Sequence, residues 1–226
     1  MIPKIIYEDN HLLVVEKPVN VPVQADNTKD LDMLTILKQY IKETYNKPGD
    51  VYLGLVHRLD RPVGGIMVFA KTSKAASRLS DQIRIRTFKK IYLAVVRGIP
   101  EKTKDTLKDF LLKNETTNMV SVVKEGTRDA KEAVLDYEVL QTTGELSLLE
   151  IKLHTGRPHQ IRVQLSNAGY PLYGDQRYGT KVNKPGQQIA LWAYKVTFEH
   201  PTKKEVLSYY CSIPKTEPWL MFYKGN

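Results

Sequence analysis

Short apolar runs recur along the chain, each closed by polar or turn-forming residues. They cover residues 11–16, 65–70, 91–96, 132–140, 146–153 and 189–198. In several of them apolar and polar positions alternate: Leu149, Ile151 and Leu153 stand against Glu150, Lys152 and His154. A period of two belongs to strands that bury one face, as in antiparallel or mixed sheets. Three stretches follow a helical period instead. Residues 31–45 space Leu34, Leu37, Ile41 and Tyr45 three or four apart, with Asp30 to cap the start and Pro48-Gly49 past the end. Residues 73–83 put Ala76, Leu79 and Ile83 on one face behind Thr72 or Ser73 as cap. Residues 158–168 put Ile161, Leu165 and Ala168 on one face, with Pro158 in the first turn and Gly169 after the last. Strands outnumber helices, so the pattern predicts an α+β fold: a large mixed sheet covered by helices. The polar stretches 101–106 and 180–188 read as surface loops. With no repeat, low-complexity tract or long linker, residues 1–226 read as one domain.

Composition narrows the partners. Lys and Arg number 34 against 25 Asp and Glu, a net charge of +9. Such a surface attracts polyanions through its long-range field and through counterion release. No run approaches the roughly 18 apolar residues of a membrane span, and the start lacks a signal-peptide core, which predicts a cytoplasmic protein without membrane contact. The single cysteine, Cys211, sits in a strand-like Tyr-Tyr-Cys-Ser segment and reads as a buried thiol. His57, His154 and His159 carry no cysteine cluster or HExxH spacing with them, so no metal is expected.

Three segments carry chemistry. In His57-Arg58-Leu59-Asp60-Arg61-Pro62-Val63-Gly64-Gly65 a loop feeds a strand. Arginines on either side of Asp60 favour its ionised form, as a nucleophile or base requires. A loop aspartate that closes an Asx-turn or a salt bridge has the same local look. In His154-Thr155-Gly156-Arg157-Pro158-His159-Gln160-Ile161-Arg162 a strand ends at a glycine and a helix opens among basic and amide side chains. Helix starts attract phosphate. Arg162 lies beside the apolar face, where a partly buried guanidinium calls for an acceptor, usually a carboxylate. An amphipathic helix with a solvated basic side is the other reading. In Lys89-Lys90-Ile91-Tyr92-Leu93-Ala94-Val95-Val96, Tyr92 falls out of phase with Ile91, Leu93 and Val95 and projects from the opposite sheet face, where a base can stack on it.

Taken together these segments resemble the RluA-like family of RNA pseudouridine synthases. The resemblance runs in order through Tyr7-Glu8-Asp9-Asn10-His11-Leu12-Leu13-Val14-Val15-Glu16-Lys17-Pro18, His57-Arg58-Leu59-Asp60, Lys90-Ile91-Tyr92-Leu93-Ala94, Thr155-Gly156-Arg157-Pro158-His159-Gln160-Ile161-Arg162-Val163 and Gly169-Tyr170-Pro171-Leu172-Tyr173-Gly174-Asp175. It implies a long, mostly antiparallel mixed sheet with flanking helices around a central basic cleft. It also implies no cofactor, no metal and no nucleotide, and an RNA substrate (rRNA or tRNA) for a protein whose default state is a monomer. Because the first segment begins near Met1, no separate N-terminal RNA-binding domain is expected. Asp60, Tyr92 and Arg162 are the implied catalytic set, converging in that cleft with Arg162 paired to Asp60. His57, Arg58, Arg61, Arg157, His159 and Gln160 are candidates for RNA contact. Two positions depart from the family pattern: Gly64 replaces a hydroxyl residue after the signature, and Gln164 stands where many relatives have His. A non-catalytic RNA-binding protein on the same fold is the main alternative, and a two-carboxylate hydrolase lacks a second carboxylate in a comparable loop.

Overall fold

The computed structural model describes residues 2–223. In chain order its elements are β1 (Lys4–Glu8), β2 (Leu12–Lys17), α1 (Met33–Thr44), β3 (Gly54–Leu55), β4 (Gly64–Ala70), α2 (Ser73–Arg84), β5 (Lys89–Arg97), β6 (Lys104–Lys113), β7 (Val120–Val123), β8 (Lys131–Thr143), β9 (Leu146–Leu153), α3 (Gln160–Asn167), β10 (Leu191–Glu199) and β11 (Val206–Tyr210), followed by a 3₁₀ turn at Trp219–Phe222. This is the strand-rich α+β class that the hydrophobic pattern predicts. The chain forms two compact units, one running up to Lys90 and resuming over Ala193–Ser212, the other comprising Ile91–Trp192 and the residues from Ile213 on.

In the first unit the strand order is β1-β2-β4-β10, with β11 beside β10 and β3 beside β4. The pairs β1/β2, β2/β4, β3/β4 and β10/β11 are antiparallel. β4 is buried along its whole length, so it reads as a continuous apolar run rather than an alternating one. Its second residue is Gly65, whose φ is +117° and where a Cβ would run into the carbonyl oxygen of Ala193. Only glycine allows the two backbones to approach that closely. Helix α1 starts two residues later than its spacing predicts, because Asp32 rather than Asp30 is the cap: its carboxylate accepts the Thr35 N–H at 3.1 Å. Its buried face is accordingly Met33, Leu37 and Ile41, while Tyr45 ends the helix half-exposed and reaches Glu8 with its hydroxyl. Helix α2 keeps its predicted start, capped by Thr72, but buries Ala75 in place of Ala76. Cys211 is buried as expected, one residue past β11, with its Sγ 3.5 Å from the Ala193 carbonyl.

The β1–β2 turn is built on Asp9. Its Oδ1 accepts the N–H groups of His11 and Leu12, both at 2.7 Å, and its Oδ2 accepts from the Tyr7 hydroxyl and from Nε2 of the fully buried His200. Burial by itself would raise the Asp9 pKa. The His11 N–H, the His200 ring, the Leu12 N–H and the Tyr7 hydroxyl outweigh it and hold the carboxyl at about 2, below its ordinary 3.8. A carboxyl depressed in the folded state stabilises the fold above its unfolded value, and that contribution is lost as pH falls. Urea midpoints measured against pH should therefore drop between 3.8 and about 2 in the wild type. Asp9→Asn should be less stable at neutral pH and show a flatter profile across that window.

In the second unit the order is β5-β9-β8-β6-β7, antiparallel throughout. β6 begins at Lys104, inside the stretch expected to be a loop, and extends the β8 hairpin pairing outward from Leu111↔Lys131 to Lys104↔Glu138. A register shift between Val139 and Gln141 leaves Leu140 unpaired with β9 and half-exposed. Helix α3 starts at Gln160, two residues after Pro158, and is enclosed: Gln160, Ile161, Arg162, Val163, Gln164 and Leu165 are all buried. The solvated basic side that an amphipathic helix would show is absent.

Candidate active site

The Asp60 loop is built by a lysine. β2 ends with Lys17, which lies opposite Gly65 in the ladder and is fully buried. An ammonium cannot stay in an interior without acceptors. Lys17 Nζ donates to three main-chain carbonyls, those of Pro18 (2.9 Å), Arg61 (3.0 Å) and Val63 (2.8 Å). Two of these, Arg61 and Val63, belong to the turn that the Val63 N–H closes on the Asp60 carbonyl at 3.0 Å. Burial pushes the Lys17 pKa down to about 7; the charge of Asp60 opposes that shift and that of Arg61 adds to it. Asp60 thus stands in the field of a buried lysine as well as beside two arginines.

The flanking residues divide their labour. His57 and Leu59 are buried, Arg58 is exposed and Asp60 is half-buried, an alternation that turns the carboxylate away from the core. His57 takes over where β3 stops: its Nε2 accepts the Val68 N–H of β4 at 3.0 Å. With Nε2 accepting, the ring proton resides on Nδ1, which has no hydrogen-bond partner among the described residues and lies in a ring packed on Phe88 at 5.5 Å. Burial, with the charge of Lys90 adding to it, pushes His57 down to about 3, so it is neutral at physiological pH. Arg61 turns to the loop before α1. Its guanidinium meets the carbonyl of Asn20, the hydroxyl of Thr28 at 2.9 Å and the carboxylates of Asp30 and Asp26.

The second cluster belongs to the other unit and centres on Arg162. The acceptor that its burial demands includes Asp175, thirteen residues on. Nε donates to Oδ2 at 2.9 Å and Nη2 to Oδ1 at 2.8 Å, a two-pronged pair in which Arg162 is 5% and Asp175 1% exposed. Asp175 Oδ1 also accepts the N–H groups of Arg177 and Tyr178. Burial raises the Asp175 pKa, but the Arg162 hydrogen bonds and charge and these two N–H groups bring it below the ordinary carboxylate value. The Asp175 turn opens at Gly174, where φ is +74° and a Cβ would stand 2.2 Å from the Gln188 carbonyl oxygen. Asn183 closes the loop, accepting the Gly174 N–H and donating to the Leu172 carbonyl. Segment 171–173 lies along β5 through the Val96↔Leu172 bridge and the Tyr173 N–H to Val95 carbonyl bond. Tyr92 is buried on β5 opposite Ile151.

Several side chains of this basic motif hold the fold. The Gln160 amide accepts from the Thr155 hydroxyl and the Arg157 N–H and donates to the Val134 carbonyl. Arg157 Nε donates to the Glu132 carbonyl. Gln164 is fully buried, with Nε2 shared among the Asp109 carboxylate and the carbonyls of Leu107 and Ala133. His159, the N-cap residue of α3, has a left-handed φ of 51° and makes no side-chain cap bond. Lys17, Asp175 and Tyr178 were not singled out from the sequence. Lys17 closes an apolar run just before a proline, and Asp175 follows a glycine in a loop; neither setting announces a buried charge.

Lys17→Met should strand the Arg61 and Val63 carbonyls and lower stability by about 2–4 kcal/mol. It should also reduce the turnover number more than it raises KM, because the Asp60 turn loses its anchor. Chemical denaturation and steady-state kinetics on one preparation read both effects.

Among the described residues no helix is long and apolar enough to cross a membrane, and no group of three His, Cys, Asp or Glu side chains is placed to hold a metal. Residues 11–167 match the family model for RNA pseudouridylate synthase. An uncharacterized RNA pseudouridine synthase of Aquifex aeolicus is 33% identical over 223 residues, which is 94% of this chain and 70% of that one. Ribosomal large subunit pseudouridine synthase C of Haemophilus influenzae is 31% identical over 216 residues, 93% of this chain and 65% of that one. Synthase D of Pseudomonas aeruginosa is 32% identical over 240 residues, 96% of this chain and 70% of that one. The chain thus spans about two thirds of the length of these relatives. Among solved structures, human RNA pseudouridylate synthase domain containing 4 superposes with a TM-score of 0.80 at 24% identity, over 94% of this chain and 89% of that one. Human domain containing 1 superposes with 0.75 at 26% identity, over 94% and 84%.

Proposed function

From the premise that this chain belongs to the RNA pseudouridylate synthase family, we propose that it isomerises uridine to pseudouridine in ribosomal RNA, with Asp60 as the catalytic carboxylate. The observation that carries the site assignment is the buried Lys17, which holds two carbonyls of the Asp60 turn and interacts electrostatically with the Asp60 carboxylate. The large-subunit names of the Haemophilus and Pseudomonas relatives support ribosomal RNA as the substrate, and with it action in the cytoplasm. The family match crosses from one compact unit into the other, which supports a single catalytic domain.

The reaction breaks the N1–C1′ bond, turns the uracil and forms a C5–C1′ bond; the C5 proton leaves and N1 takes up a proton, so product and substrate are isomers. No external reagent enters the balance. The target uridine leaves its stack first, at a cost of a few kcal/mol. Asp60 acts on the ribose, by attack at C1′ or by proton removal at C2′. Tyr92 stacks on the uracil; an ordinary phenol is protonated at neutral pH, which suits stacking better than proton abstraction. Arg162 supplies a fixed guanidinium to the reaction. Exposed Arg58, together with Arg61, Arg157 and His159, contacts the RNA, whereas buried His57 and Gln160 position the loop and the helix start. Incubating the purified protein with rRNA and with tRNA, followed by nucleoside analysis, tests this reading. Pseudouridine in neither RNA would end it, and pseudouridine in tRNA alone would change the substrate.

A further inference from the structure

Tyr178 touches Arg162, Asp175 and His159, and it lies outside the segments that carry the family resemblance. Its hydroxyl accepts the main-chain N–H of Val120, the first residue of β7, at 2.9 Å. The same oxygen lies 2.8 Å from Nδ1 of His159. The Val120 amide can only donate to this oxygen, which leaves the phenol proton for an acceptor, and Nδ1 stands within its reach. Where Nδ1 accepts, a ring that carries one proton holds it on Nε2. The Tyr178 ring stands edge-on to the His159 ring, with centroids 5.7 Å apart, and the Arg162 guanidinium lies over it at 5.3 Å. Its N–H donates to the Asp175 carboxylate and its carbonyl accepts the Ser166 hydroxyl of α3. The neighbouring Arg177 grips the same hairpin through the Asn118 carbonyl.

We propose that Tyr178 is a positioning residue of this site: its hydroxyl, aimed by Val120, fixes His159 as the Nε2–H tautomer, while its ring supports the guanidinium of Arg162. The proposal rests on the reading that His159 contacts RNA and that Arg162 serves the reaction. A ring held at a left-handed backbone position and locked in one tautomer presents a single donor in one direction. That is the property a contact to a phosphate or base oxygen needs.

Two variants separate the two halves. Tyr178→Phe keeps the ring beneath Arg162 and removes only the hydroxyl; Tyr178→Leu removes both. In the free protein labelled with ¹⁵N-histidine, wild-type His159 should show an unprotonated Nδ1 and a protonated Nε2. Tyr178→Phe should move it to a mixture of tautomers or to the Nδ1–H form. With RNA, Tyr178→Phe should raise KM about tenfold and leave the turnover number within about threefold, whereas Tyr178→Leu should also lower the turnover number about tenfold or more. A His159 tautomer unchanged in Tyr178→Phe overturns the relay. An unchanged KM in Tyr178→Phe overturns its role in RNA contact, and a turnover number in Tyr178→Leu equal to that of Tyr178→Phe overturns the support of Arg162. Loss of the folded ¹H–¹⁵N pattern in both variants would make Tyr178 a plain core residue and also overturn it. A wild-type protein inactive on RNA sinks the functional reading instead, and the tautomer measurement on the free protein still decides the relay.

Discussion

Replacing Asp60 by Asn is expected to abolish pseudouridine formation, by at least about 10⁴-fold in the turnover number, while RNA binding stays within a few-fold of wild type. The two side chains have nearly the same shape, so the Val63 N–H to Asp60 carbonyl turn and the Lys17 bonds to Arg61 and Val63 remain in place. What disappears is the negative charge. A carboxamide neither attacks C1′ nor accepts the C2′ proton at a useful rate. Affinity for a polyanion rests on cations and loses nothing when one carboxylate is neutralised; a small gain is the more natural outcome. Tritium release from 5-³H-uridine RNA reads the chemistry and filter binding reads affinity. Turnover within tenfold of wild type would remove Asp60 from the catalytic role. Loss of binding in step with turnover would show that the substitution had disturbed the loop rather than the reaction.

The parts of the molecule that follow from periodicity were legible in the chain. The runs that became β2, β4, β5, β8, β9 and β10 are apolar because both or one of their faces are covered, and period alone finds them. Helix phase was harder to read. Leu34 and Met33 are equally apolar, and only the capping bonds of Asp32 decide that Met33 faces inward. Buried polar groups are the hardest to read from a sequence. His57 and Gln160 look like RNA contacts by chemical type, yet the Val68 N–H takes one and the Val134 carbonyl the other. A side chain satisfied by main chain leaves no trace in hydropathy. Lys17 is the same case with a full charge. Its three carbonyl partners come from turns whose geometry no residue pattern displays. The need of Arg162 for a carboxylate could be argued from its place beside an apolar face. The identity of Asp175 could not, because a loop closed by Asn183 and opened at Gly174 brings it there.

That pair gives the largest effect on stability. Asp175→Asn should cost about 3–5 kcal/mol, because the buried guanidinium loses the carboxylate that accepts from both its Nε and its Nη2. Arg162→Met should cost less. Asp175 keeps the N–H groups of Arg177 and Tyr178 as donors, and its carboxyl can take up a proton when the cation is gone. The double variant Arg162→Met with Asp175→Leu replaces a buried ion pair by apolar groups, a change that is often neutral or stabilising. Its denaturation midpoint should recover most of the loss seen in Asp175→Asn. Activity distinguishes two roles that stability leaves mixed. If Arg162 supplies charge to the reaction, the double variant regains most of the stability and is still inactive, by about 10²-fold or more. If Arg162 only holds α3 against the Asp175 turn, activity returns together with the midpoint. The inactive, stable protein is the expected result, since a guanidinium held by both carboxylate oxygens, beneath which the Tyr178 ring is fixed, is a preorganised charge.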